Sequence, residues 1–278
     1  MNELHHPVSR TIRRMVAVVA CVLVPSLVLS MPVSAQDHAP SPNPANVPLS
    51  LQSQLHAMTN SQLLAYEAKI QLLKAFEQAQ GSGVQPQYCV PQCVPNYRYE
   101  YMKDVLEGGS DTWCGPATAE EMYSSYNYYF AGDPYVSQST AEQDMASAPS
   151  PGPYFHSSTG TDLPGIAWEM NHRQSTNYYV MQHLGGAGDV YDYTAVDIGG
   201  YYYPVAYDGE TDGYYSHPLY PQYATVNWTH WFPAYGYDAN YNVYVADVHF
   251  DANYAYTDTA IYHFIFDLLG SNNAVITW

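Results

Sequence analysis

The spacing of apolar residues divides the chain into distinct segments. Met15 to Leu29 is an apolar run broken at Pro25. Between Ser50 and Gln80, Leu51, Leu55, Met58, Leu63, Leu64, Ile70, Leu73 and Phe76 recur at helical spacing among Gln, Lys and Glu, and Gly81-Ser82-Gly83 ends the pattern. Ala117 to Phe130 contains neither Gly nor Pro and predicts a helix entered through Gly115 and Pro116. A second helix is predicted over Asp162–His172, with Leu163, Ile166, Trp168 and Met170 as its apolar set. Residues 185–224, rich in Gly, Tyr, Asp and Pro, read as long loops with short strands. Trp231–Tyr237 and Val243–Val248 alternate about an Asp238–Asn242 turn, which predicts a β-hairpin, and another strand follows at Ile261–Phe266. Helices first and antiparallel strands later make an α+β domain, expected over residues 104–278.

The N-terminus changes that picture. Arg10, Arg13 and Arg14 precede the first apolar run, and Val33-Ser34-Ala35 supplies small residues at a cleavage site, so residues 1–35 read as a signal peptide. The run is too short for a comfortable membrane span. The expected product is secreted and extracellular, with no membrane contact after signal removal. Residues 36–103 read as a Pro-rich linker followed by an accessory or propeptide-like helix.

Charge narrows the partners. The chain carries 26 acidic and 8 basic residues; beyond residue 35 these become 25 and 5, a formal charge of −20. After Cys114 the only Lys or Arg is Arg173. Such a chain repels nucleic acid and anionic lipid. It also gains little positive charge when its carboxylates protonate, and its 30 tyrosines stay neutral from acid to neutral pH. Both features point to a protein that works in acid.

Cysteine usage isolates one thiol. Cys21 leaves with the signal, and Cys89 and Cys93 form a C-x-x-x-C that is able to pair locally in an oxidising compartment. No second thiol pair completes a zinc site around them. Cys114, in Asp111-Thr112-Trp113-Cys114-Gly115-Pro116-Ala117-Thr118, is then the odd thiol. Unpaired N–H groups at a helix start favour thiolate over thiol, the state a nucleophile needs. A buried structural cysteine fits the same position. Glu120 and Glu121 follow in the early turns, where the helix dipole favours negative charge.

The hairpin supplies candidate partners for the thiol. With its turn centred near Ala239, His230 faces Val248, with Asp247 and His249 beside it, and a shift of one residue brings His230 opposite Asp247. Thiol, imidazole and carboxylate are the nucleophile, base and orienter of a thiol hydrolase. Taken singly, His230 and Asp247 also fit structural roles. Asp247, His249 and Asp251 alternate and offer a competing Ca²⁺ or Zn²⁺ donor set, and the acidic loop Asp208–Gly213 reads as a cation-binding or solvated turn. The tyrosines fit glycan binding, or packing and surface polarity.

Trp113-Cys114-Gly115-Pro116-Ala117-Thr118, His230-Trp231-Phe232, Gly236-Tyr237-Asp238 and Val245-Ala246-Asp247, with the middle stretch Gly160-Thr161, Ile166, Met170-Asn171 and Tyr178, resemble the secreted stand-alone members of the bacteriocin-processing (double-glycine leader) peptidase-like family. The resemblance covers roughly residues 104–270. It implies a papain-like cysteine peptidase fold, a nucleophile helix packed on an antiparallel β-sheet. It further implies Cys114 as nucleophile, His230 as base, Asp247 as third member, a peptide or protein substrate, and no cofactor or metal. Two positions depart from it. Glycines stand at 108 and 109 where the family places an oxyanion-hole Gln about six residues before the cysteine, leaving Glu107, Ser110 or Asp111 as substitutes, and Val248 stands where Pro is usual. Losing an oxyanion donor costs about 10²–10³ in rate. A catalytically silent papain-like binding protein, an acyl transferase and a cell-wall amide hydrolase are therefore the alternatives.

Overall fold

In the computed structural model, the residues described are 51–81, 88–89, 93–95, 97–103, 105–108, 112–184, 187–210, 229–246, 248, 259–260 and 275–278. The signal-peptide segment, the Pro-rich linker and the strand expected at Ile261–Phe266 lie outside them. One compact unit spans His38–Trp278.

The elements, in chain order, are α1 (Leu51–Ala57), α2 (Asn60–Gly81), β1 (Tyr88–Cys89), β2 (Cys93–Val94), β3 (Arg98–Tyr99), α3 (Cys114–Tyr129), α4 (Gln138–Ser147), β4 (Phe155–His156), β5 (Gly160–Thr161), α5 (Gly165–Arg173) and β6 (Met181–His183). They continue with α6 (Ala187–Thr194), which runs into a π-helix (Ala195–Tyr201), then β7 (Val205–Glu210), β8 (Thr229–Tyr237), β9 (Val243–Val245), β10 (Thr259–Ala260) and β11 (Val275–Thr277). The main sheet is antiparallel, in the order β10-β9-β8-β7-β11-β6, with β3 also paired to β8. Mixed helix and antiparallel sheet is the α+β class expected.

The single helix expected at 50–80 is two. Thr59 interrupts it: its N–H donates to Gln62 Oε1 (2.8 Å) while the Gln62 N–H reaches back to Thr59 Oγ1 (3.4 Å). This reciprocal capping box starts a new helix at Asn60. Residues 187–201, expected as loop, are helical. Val190, Ala195, Val196 and Ile198 are fully buried against the sheet and α2, so tertiary burial overrides the Gly and Tyr content.

Strand alternation divides the core into two clusters. Val205 and Tyr207 on β7, with Phe232 and Ala234 on β8, join Leu72, Leu73 and Phe76 of α2 and Ile198 of the π-helix. Ala206 and Trp231, one residue out of phase, join α3, α4 and α5 through Ala117, Met122, Tyr126, Met145, Ile166 and Met170. The central strands are thus covered on both faces by helices. Lys69 of α2 crosses into the first layer and is buried against Asp197 of the π-helix, with Nζ 3.0 Å from Oδ2 and 4.8 Å from the Trp278 ring centroid. Hence α2 is part of the folded body.

Buried tyrosines account for much of the aromatic content, and their hydroxyls are bonded. Tyr123 donates to Glu169 O (2.6 Å), Tyr126 to Tyr179 Oη (3.0 Å), Tyr179 to Pro204 O (2.6 Å) and Tyr237 to Pro95 O (2.7 Å). Each ring fills core volume and closes a backbone group that would otherwise be orphaned.

Buried carboxyls set the pH dependence. Burial pushes Glu169 up to about 8, with the Asp144 charge adding to it, and burial pushes Asp192 up to about 6. Burial also holds Glu100 well above the usual range, against the hydrogen bond from Ser125. Raised acids bind protons more tightly folded than unfolded, so their stabilisation is full below about pH 4 and is lost as pH rises through the 6–8 window. Thermal unfolding should therefore show a midpoint that falls from pH 5 to pH 8. Glu169→Gln should flatten that slope and stabilise the protein at pH 8, on the order of a few kcal/mol; a flat or rising wild-type profile contradicts this. Lys69→Ala, which strands Asp197, should cost about 3–5 kcal/mol in denaturant unfolding, and pairing Lys69→Met with Asp197→Leu should recover most of it.

Candidate active site

Cys114 is the first residue of α3 and is buried; among the described residues it is the free cysteine. The helix begins two residues earlier than Pro116 suggests. Pro116 still lies in the first turn, where no intrahelical N–H bond is lost. The N-cap, Trp113, makes no side-chain capping bond, and the first helical bond runs from Ala117 N–H to Trp113 O at 3.0 Å. The N–H end of a 16-residue helix therefore meets the thiol with no capping side chain between them.

Two neighbours fix this helix start. The β4–β5 hairpin grips residues on both sides of Cys114: Thr112 Oγ1 donates to Ser157 O (3.4 Å), the Trp113 ring meets Phe155 edge-on (6.4 Å), and Thr161 lies against Gly115. A Cβ on Gly115 would fall 2.1 Å from Thr161 Oγ1, so only glycine fits there. Gly160, at φ +85°, lies against Thr112 and opposite His156. Strand β8 is the second neighbour. Trp231 packs in the Cys114 cluster and its Nε1–H donates to Thr161 O at 3.2 Å, tying strand, hairpin and helix start together.

His230 is the residue before Trp231. It is buried on β8 opposite Gly209, and its ring lies 6.0 Å from Phe232. Strand alternation puts it on the Phe232 face, so the β8 side chain in the Cys114 cluster is Trp231. The hairpin turn is centred on Asn240, where Tyr237 pairs with Val243, one residue beyond the expected centre, and a bulge between Ala234 and Gly236 takes back a residue. Asp247, His249 and Asp251 lie outside the described residues. Their described neighbours hold firm: Ala246 N–H donates to Pro233 O at 3.0 Å, and Val248 is buried in the Cys114 cluster.

The segment before Cys114 runs back along α3. Lys103 N–H donates to Ser124 Oγ (2.7 Å), Val105 N–H to Glu121 Oε1 (2.8 Å) and Glu107 N–H to Val248 O (2.7 Å). This carries buried Glu107 toward the helix start. At position 108 an amide is supplied from elsewhere: Gln138 Oε1 accepts from Gly108 N–H (2.8 Å), and its Nε2 donates to Leu106 O (3.0 Å). Ser110 and Asp111 lie outside the described residues.

Glu120 and Glu121 act as anchors, since both are buried past the first turn. Burial pushes Glu120 up, but hydrogen bonds from Tyr135, Gln138 N–H (2.9 Å) and Lys103 (3.1 Å) outweigh it and hold the carboxyl below its usual range.

Cys89 and Cys93 are Cα partners across β1 and β2. Antiparallel partners lie about 4.5–5.5 Å apart at Cα, within the span a disulfide bridges. Among the described residues no three His, Cys, Asp or Glu side chains converge as a metal site. Asp208, from the acidic loop, is buried on β7 opposite Trp231.

The sequence reading missed a second imidazole–carboxylate pair, His156 Nε2 to Asp162 Oδ2 at 3.3 Å, and the packing role of Thr161. A signal existed for both: they flank the Gly160-Thr161 stretch within six residues.

No protein-family model matches this chain, and a search of curated proteins finds no match.

The contact at Gly115 is testable. Gly115→Ala should lower stability by about 1–3 kcal/mol through overpacking, and adding Thr161→Gly should relieve that extra strain in thermal unfolding. Equal costs with and without Thr161 would remove the contact as the cause.

Proposed function

We propose that the chain is a secreted cysteine peptidase-like hydrolase of papain-like fold, with Cys114 as nucleophile, His230 as base and Asp247 as its orienter. The observation that carries this reading is the placement of Cys114: first residue of a long buried helix, with no capping side chain, packed beside the strand that holds His230. The order of nucleophile helix and then antiparallel hairpin supports it.

In the proposed reaction the Cys114 thiol gives its proton to His230, and the thiolate adds to an amide carbonyl. The oxyanion is met by backbone N–H groups at the start of α3. The C–N bond breaks as the imidazolium returns the proton to the leaving amine. Water then hydrolyses the thioester, giving a carboxylic acid and the free thiol. A protonated Glu107, tethered through Val248, would add an oxyanion donor in acid. Peptides and cell-wall cross-links both present the required amide, and an amine in place of water turns the same thioester into a transferase product.

A specific observation favours a second reading, a silent binding protein: the His230 ring turns to Phe232 while Trp231 fills the Cys114 side. Iodoacetamide labelling between pH 3 and 7 separates the two. An enzyme should alkylate at Cys114 faster than a free thiol. Cys114→Ala should abolish amide turnover, and His230→Ala or Asp247→Asn should lower kcat by about 10²–10⁴-fold. Labelling no faster than a free thiol, with turnover indifferent to Cys114→Ala, leaves the binding protein.

A further inference from the structure

The hairpin that holds the start of α3 carries its own imidazole–carboxylate pair. His156 sits on β4 and Asp162 directly follows β5, with His156 Nε2 3.3 Å from Asp162 Oδ2. Backbone bonds fix the carboxylate's position: Asp162 N–H donates to Tyr154 O, and Gly165 N–H to Asp162 O, both at 2.8 Å. The pair is partly open to solvent, the side chains being 36% and 14% exposed, whereas His230 is 3% exposed.

The hairpin's register aims this pair at the thiol's neighbourhood. His156 pairs with Gly160, and residues directly opposite in an antiparallel pair present their side chains to the same face. A Cβ on Gly160 would meet Thr112 O at 3.4 Å, so that face looks onto the residue two before Cys114. The other face is taken by Phe155 and Thr161, which pack on Trp113 and Gly115. With Nε2–H donated to Asp162, Nδ1 holds the lone pair of the neutral ring and is the nitrogen able to take a proton.

We propose that His156, oriented by Asp162, is a second proton acceptor for Cys114, working from the hairpin side of the site. This rests on Cys114 being a nucleophile. The Cys114 S–H proton passes to His156 Nδ1, the sulfur keeps the electron pair and adds to the acyl carbonyl, and Asp162 holds the imidazolium. The same proton leaves with the amine nitrogen as the C–N bond breaks. Water adds to the thioester and restores the thiol. Asp162 is a positioning residue, since it acts through His156.

The test is the second-order rate of iodoacetamide alkylation at Cys114 from pH 3 to 8, in the full chain as exported. Wild type is compared with His156→Gln, Asp162→Asn, Asp162→Glu, His230→Ala and the exposed control His183→Ala, and thermal unfolding confirms that each variant is folded. The proposal expects His156→Gln to slow alkylation by about tenfold or more and to remove the imidazole inflexion from the pH profile. It expects Asp162→Asn to move that inflexion, Asp162→Glu to restore it and His183→Ala to change nothing. A reactive wild type whose rate and profile ignore His156→Gln and Asp162→Asn, while His230→Ala abolishes the reaction, overturns this proposal and leaves the peptidase reading standing. A wild-type Cys114 no faster than a free thiol overturns both.

Discussion

The burial of α3 is the constraint on which the rest of the structure depends. From Cys114 to Tyr126 every residue is buried, including Thr118, Glu120, Glu121, Ser124 and Ser125. A helix enclosed on all sides has no polar face to give to water, so partners for its polar groups must come from within. Glu121 and Ser124 take backbone N–H groups of the 103–105 segment, Ser125 donates to Glu100 at 2.9 Å, and Glu120 gathers Lys103, Tyr135 and the start of α4. These bonds decide the path of the preceding segment and the position of α4. They also decide what can approach the helix start where Cys114 sits.

Carboxyls enclosed in this way are offset by few cations. Lys69 is the buried basic side chain among the described residues, and it serves Asp197; Arg173 reaches Asp144 at the surface through bonds of 2.6 and 2.8 Å. Glu100 and Glu169 depend on hydroxyls and on protonation. The low basic content that limits acid repulsion in the unfolded chain thus reappears inside the fold as acids most comfortable when neutral. Composition and core point to the same acidic working range, for two different physical reasons.

Around the thiol, the structure replaces a one-sided picture with a two-sided one. Strand β8 contributes Trp231, whose indole donates to the hairpin, and the hairpin contributes Thr161 and the His156–Asp162 pair. The helix start is therefore held between an aromatic wall and a polar hairpin. Gly115 and Gly160 allow both to come close.

The sequence by itself determined the elements whose signals are local. The nucleophile helix follows from an unbroken run after Gly115-Pro116, α5 from the spacing of Ile166 and Met170, and the β8–β9 hairpin from alternation about Asp238, whose carboxylate accepts the turn N–H groups of Asn240 and Asn242 at 2.8 and 3.1 Å. The Thr59–Gln62 capping box was equally legible and went unread. Only the tertiary structure decided that residues 187–201 are helical, because the burial of Val190 and Ile198 and the Lys69–Asp197 pair join segments more than a hundred residues apart. It alone set the bulge that fixes which β8 side chain faces Cys114, since a shift of one residue exchanges the two faces of a strand. Sequence spacing can name a thiol, an imidazole and a carboxylate, but which imidazole the thiol meets is settled by strand parity and by the hairpin folded against the helix start.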